Sequence, residues 1–255
     1  MKDMKLSNIQ KESEKIKIKK SINEYEDLKS QSLLKLGIMT FDKIRKNEIH
    51  DKDFNEICEE IKSKDEKFEY KIFADNGPLV DRYLAYLAGL GYYGINNNLI
   101  TDKYGSYVFI GYIVNNYNLE PDEKLNKNCM KCNKCVKYCP GNALEGNYQM
   151  DPKKCVSYIT QKKEELTDEE KEKMRKNKSV FGCDVCQNVC PHNQDVAISN
   201  IEEFTTNLIT NLSEEEINSI SNKEFKRRYN DRAFSWRGRN IIKRNMDIIK
   251  EKSMK

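Results

Sequence analysis

Eight of the chain's nine cysteines lie between Cys129 and Cys190. No other feature restricts the fold as strongly, because so many thiols in one short stretch must either pair with each other or hold metal. The first residues, MKDMKLSNIQKESEKIKIKK, contain no apolar run of the kind that directs secretion. A cytoplasmic, reducing setting is therefore expected, and there an odd number of thiols argues for metal rather than a disulfide framework. No stretch of about 18 apolar residues is present, so no membrane partner is expected.

The spacing is informative. Cys129, Cys132, Cys135 and Cys139 precede Pro140 in CMKCNKCVKYCP. This is C-x2-C-x2-C-x3-C-P, the run that binds [4Fe–4S] clusters in bacterial ferredoxins. Cys155, Cys183, Cys186 and Cys190, then Pro191, repeat its end, with 27 residues between the first two. Two-residue gaps let three thiolates wrap one cube, while the three-residue gap sends the fourth to the neighbouring cube. The expected sets are Cys129, Cys132, Cys135 and Cys190 for one cluster, and Cys139, Cys155, Cys183 and Cys186 for the other. Paired CxxC segments also build four-thiolate zinc sites, so zinc is the alternative. Cys58, in FNEICEEI with Phe54, Ile57 and Ile61 at helical spacing, reads as a core residue.

Around this module the pattern is mixed. SLLKLGIMTFDKI and DFNEICEEI, within residues 31–63, read as helices. Residues 69–74 read as a strand, and 106–113 (SYVFIGYI) as a buried strand. Leu79, Val80, Tyr83, Leu84 and Leu87 recur at helical spacing, predicting a helix over 78–88 with Asn76 as cap and Pro78 in its first turn. YYGINNN reads as a loop, either cradling a ligand or merely connecting. KKEELTDEEKEKMRK reads as a solvated helix face, and Ser213 as the cap of a later helix. Net charge is only +4, but from Lys223 to Lys255 there are twelve Lys and Arg against four Asp and Glu. There FKRRYNDRAFSWRGRN interleaves Arg with Phe225, Tyr229, Phe234 and Trp236. That pattern suits either stacking on nucleic acid or a helix with a solvated basic face.

Taken in order, FADNGPLVDRYLAYLAGLGYYGINNNLI, GSYVFIGYIV, CxxCxxCxxxCPGNAL, CVSYIT, FGCDVCQNVCPHN and FKRRYNDRAFSWRGRNIIKRN resemble the epoxyqueuosine reductase family, from about Glu69 to Ile249. The resemblance implies reduction of the epoxide of epoxyqueuosine in tRNA, with two [4Fe–4S] clusters feeding electrons to a base-off cobalamin. It implies tRNA and a low-potential electron donor as partners, and a monomer is expected. It implies Asp75 as proton donor and cobalamin contact, and Ser157, Tyr158 and Asp184 as further cofactor contacts. An alkoxide leaving an opened epoxide needs a positioned acid, and an Asp serves only where its surroundings raise its pKa. Ile95 stands where the family usually has Lys, and Asp81 where it has Glu. The family's longer leading region and the helical repeats of its longer members are not seen here, so a shortened or divergent member is expected.

The expected fold is α+β. It comprises a truncated cobalamin-binding-like α/β domain over 1–125, a double [4Fe–4S] ferredoxin-type domain over 126–200 and a basic helical region over 201–255. Two other readings compete. One is a ferredoxin-like electron-transfer protein without its own substrate, the other an RNA-binding module with structural clusters; neither gives Asp75 a chemical role.

Overall fold

The computed structural model describes residues 35–41, 48–74, 77–116, 122–198 and 208–251. Asp75 and Asn76, with the first 34 residues, lie outside them.

The elements of the first half are strand β1 (Lys35–Phe41), helix α1 (Glu48–Lys64), strand β2 (Tyr70–Ala74), helix α2 (Asp81–Leu87), strands β3 (Tyr92–Tyr93) and β4 (Leu99–Ile100), and strand β5 (Phe109–Asn115). β5 is the central strand of an antiparallel sheet ordered β1-β5-β2. Lys35 pairs with Asn115 and Phe41 with Phe109 on one side, and Tyr70 with Asn115 and Ala74 with Gly111 on the other. Successive side chains of β5 point to opposite faces. Ile113 packs with Cys58 and Phe68 under α1, while Tyr112 packs with Leu79 and Leu84 on the other side. Cys58 is fully buried, as its helical spacing predicts.

Three sequence expectations shift. SLLKLGIMTFDKI contributes a strand at Lys35–Phe41, not a helix. Its seven-pair ladder with β5 is a non-local gain that helical periodicity does not reveal. The helix expected over 78–88 starts only at Asp81, because Val80 is extended. The preceding chain is pinned instead: the Leu79 N–H donates to the buried Tyr112 hydroxyl at 3.3 Å, and any side chain on Gly77 would collide with that ring. The strand expected over 106–113 runs from Phe109 to Asn115. Ser106 and Tyr107 are drawn out of the ladder by Asn193, Gln187 and Asn188, to which they hydrogen-bond.

The second half is short elements, then helices. They are α3 (Lys134–Lys137), strands β6 (Leu144–Gly146) and β7 (Gln149–Met150), α4 (Val156–Ile159), α5 (Asp168–Asn177), α6 (Val185–Asn188), α7 (Glu214–Ser219), α8 (Asn222–Tyr229) and α9 (Arg239–Lys250). At three of these helices, α5, α7 and α8, a short polar side chain accepts a backbone N–H at the start. Thr167 and Glu170 form a reciprocal capping box, Ser213 accepts from Glu216, and Ser221 accepts from Glu224. The charged stretch after Ile159 is not wholly solvated. Met174 of α5 is fully buried with Ile159, Leu166 and Ile248 of α9. Phe225, Tyr229, Ile242 and Met246 form another apolar core with Ile217 and Ile220, and Phe234 packs on its edge. The described sheets are all antiparallel, with helices between their strands and a helical run after Asp168, an α+β arrangement.

Candidate metal centre

The loop carrying the first three cysteines is shaped by backbone conformation. Lys131 and Asn133 hold positive φ of 54° and 58°. These left-handed residues alternate with the cysteines and curl the chain, so that N–H groups face inward as an anion-binding nest. The Lys131 N–H donates to Cys129 Sγ at 3.4 Å. Cys190 reaches the same place from just beyond α6, and with Cys129, Cys132 and Cys135 it lines one shared pocket. Gly94, Ile95, Asn96, Pro191 and His192 complete its walls.

The other four cysteines gather beside it. Cys183 is influenced electrostatically by Cys155 and Cys139, and Cys186 by Cys183, Cys155 and Cys139. Cys186 also feels Cys135, so the two quartets adjoin. Ala143 N–H donates to Cys139 Sγ at 3.3 Å. The 27 residues between Cys155 and Cys183 close on themselves: the Gly182 N–H donates to Thr160 Oγ1 at 3.1 Å. The spacing therefore becomes a proximity only through this closed excursion.

The thiols are poised for metal. Burial pushes Cys135 up to about 11 and Cys186 up to about 12, and raises Cys183 and Cys190 as well. Bare, these four stay protonated at neutral pH; a bound cation is what converts such thiols to thiolates. Apolar side chains jacket them. Ile95, Leu144, Val136, Tyr148, Met150 and Val189 pack with Cys129, Cys135, Cys139 and Cys186. The donor set, the inward N–H groups and the dry jacket fit an iron–sulfur cluster in each quartet. Among the described residues, no three His, Cys, Asp or Glu side chains converge on a single metal ion.

Several contributors are not apparent from the cysteine pattern. YYGINNN is not a surface connection: Ile95 and Asn96 are buried. Ile95 packs on Cys135 of the first quartet, while Asn96 Nδ2 donates to the Cys186 carbonyl at 3.4 Å in the second. Its run of three asparagines was the available signal. His192 accepts the Met130 N–H through Nε2 at 3.4 Å and meets the Tyr92 hydroxyl through Nδ1 at 3.2 Å, linking β3 to both ends of the first quartet.

The other site candidates are dispersed. Tyr158 and Asp184 are exposed near the second quartet, and Ser157 is half-buried, with its carbonyl accepting from Thr160 and Gln161. Asp184 Oδ1 accepts from Gln187 Nε2 at 2.9 Å. Tyr107, whose hydroxyl donates to Asn188, also leaves its ring open beside Asp184. In the basic C-terminal stretch the aromatic residues divide between core and surface. Phe225 and Tyr229 are core, and Arg227 and Arg228 pair with Glu224. Trp236 stays exposed, with the Arg237 guanidinium 3.6 Å over its ring and its own Nε1 donating to Gln161.

The family described as a 4Fe-4S double cluster binding domain matches residues 128–193. Epoxyqueuosine reductase of Listeria monocytogenes is 40% identical over 182 residues, covering 70% of this chain and 47% of that protein. That of Lactococcus garvieae is 36% identical over 192 residues, covering 75% and 54%. The solved epoxyqueuosine reductase of Streptococcus thermophilus superposes with a TM-score of 0.74 at 26% identity, over 95% of this chain and 74% of that one. Another, solved with an epoxyqueuosine-modified tRNA-Tyr stem loop, superposes at 0.72 with 30% identity, over 86% and 58%. The chain spans about half the length of the curated relatives it matches.

Proposed function

Because this chain is a relative of the epoxyqueuosine reductases in both sequence and fold, we propose that it reduces epoxyqueuosine to queuosine in tRNA, working as a cytoplasmic monomer fed by a low-potential electron donor. The observation that carries this reading is the gathering of eight cysteines into two adjoining quartets within that fold. In this reading Cys129, Cys132, Cys135 and Cys190 hold one [4Fe–4S] cluster, and Cys139, Cys155, Cys183 and Cys186 hold the other.

Cobalamin, when bound, supplies the low-valent metal chemistry at the epoxide carbon. Tyr158, Ser157 and Asp184 would hold it beside the second quartet, where the open rings of Tyr107 and Tyr158 offer a flat cofactor apolar surface. Asp75 would give the proton that the opening alkoxide takes up. Ile95 tells in the same direction as the cluster assignment. Its buried alkyl chain packs on Cys135 where a Lys would bring charge.

The test is anaerobic reconstitution followed by visible spectroscopy with and without added cobalamin, and then turnover on tRNA carrying epoxyqueuosine. A shift of the corrin bands and formation of queuosine are expected. Unchanged corrin bands would reduce the reading to electron transfer alone.

A further inference from the structure

Among the described cysteines, Cys132 alone is exposed; its seven companions in the two quartets are buried or half-buried. The chain segment that carries it is basic, with Lys127 paired to Asp102 from the neighbouring loop. From Lys124 to Leu144 the chain carries Lys124, Lys127, Lys131, Lys134 and Lys137, and no Asp or Glu. Lys131, Lys134 and Lys137 are exposed and form no ion pair with any described carboxylate. Lys131 and Lys137 lie instead over the rings of Tyr148 and Tyr138, at 5.9 and 5.6 Å. Met130 and Tyr138, 56% and 53% exposed, put apolar surface in the middle of this charge.

This combination is specific in its chemistry. Electrons cross a protein boundary where a redox group comes closest to solvent, and in the first quartet that place is Cys132. Its charges are all Lys, strongly hydrated point charges that steer a partner without locking it. Phosphate recognition favours the planar Arg fork, and this chain's Arg residues are concentrated after Lys226 instead. A small apolar centre flanked by exposed charges of one sign suits a brief, wet encounter of the electron-transfer kind.

We propose that the Met130–Tyr138 face is the electron-entry port, and that it docks a small acidic protein carrying one electron at a time. In each encounter the carrier is oxidised by one electron and the first-quartet cluster is reduced by one; no bond is made or broken. Two encounters supply the two electrons that reduction of an epoxide consumes. The inference rests on the reading that these cysteines hold clusters, and not on the identity of the substrate.

The experiment uses the reconstituted full chain without tRNA, mixed rapidly with the hydroquinone of an acidic flavodoxin while bleaching of the cluster absorbance is followed. The wild-type rate constant should fall steeply as salt rises. Lys131→Glu/Lys134→Glu/Lys137→Glu should lower it at least tenfold at low salt and flatten the salt dependence. Lys134→Gln/Lys137→Gln should lie between, with reduction by a small uncharged reductant unchanged in both variants. A wild-type rate in the charge-reversed protein, or a wild-type rate indifferent to salt, overturns the proposal. So does a variant that loses tRNA binding while keeping its rate with flavodoxin, because the patch would then belong to RNA. Failure of epoxide turnover with salt-sensitive carrier reduction intact would sink the proposed function and leave the port standing.

Discussion

Asn245 of α9, fully buried, donates its side-chain amide to the Thr160 carbonyl at 2.7 Å. The same nitrogen donates to the Val180 carbonyl at 2.9 Å, and the Asn245 oxygen accepts from Arg244. Thr160 and Val180 stand near the two ends of the excursion between Cys155 and Cys183. One side chain from the last helix therefore holds together the chain segments that bring two distant cysteines into one quartet.

Asn245→Ala should leave one buried and one half-buried carbonyl short of a donor, costing about 1–3 kcal/mol. The loss should concentrate at the second quartet. Iron release to a chelator is expected to accelerate there, seen as one of two clusters leaving first by electron paramagnetic resonance. Asn245→Asp, which keeps the acceptor for Arg244 but removes both donors, should be at least as damaging. Equal release from both clusters would show that the clamp acts only on global stability.

Cys190→Ser and Cys58→Ser separate ligand from core. The first removes one of four thiols around the shared cavity, so reconstituted iron should fall by about half if each quartet holds a cluster. The second puts a hydroxyl among Phe68, Ile61 and Ile113. It should cost about 1–3 kcal/mol of stability with full iron content. Iron analysis alongside thermal melting distinguishes the two outcomes.

Asp75→Asn is expected to abolish epoxide turnover while the cluster spectrum and melting temperature stay at wild-type values. An amide cannot supply the proton that the alkoxide requires. Retained turnover would remove Asp75 from the chemistry.

Tyr229 gives a pH test. Burial and a 2.8 Å hydrogen bond to Glu216 push its hydroxyl from 10 up to about 12. The folded state thus keeps a proton that the unfolded chain gives up first. The stability this confers is complete below pH 10 and drains away as pH climbs towards 12. Tyr229→Phe should melt lower than wild type at pH 8, by a bond to a charged acceptor worth about 1.5–3 kcal/mol. The gap should close above pH 10. A gap independent of pH would mean that the hydroxyl does not titrate as described.

How far the sequence could be read depended on how local each feature is. The helix around Cys58, the Ser213 cap and the end of α2 near Ala88 are legible, because each follows from residues a turn apart. Lys35–Phe41 reads as helix in isolation because its partners lie more than sixty residues on, in β5. The aromatic-rich C-terminal stretch was ambiguous because composition does not say which ring meets the core; Phe225 does and Trp236 does not.

By itself the sequence determined the metal chemistry. The gaps among Cys129, Cys132 and Cys135 are a property of a short loop, whose intervening Lys131 and Asn133 take left-handed conformations. Only the tertiary structure decided how the rest assembles: that Cys190 closes the first cavity, that Ile95 and Asn96 lean on both quartets, and that Asn245 joins the ends of the excursion. Those contacts link residues far apart in the chain. They exist because packing and buried hydrogen bonding outweigh the entropy of closing long loops, a balance no local spacing reveals.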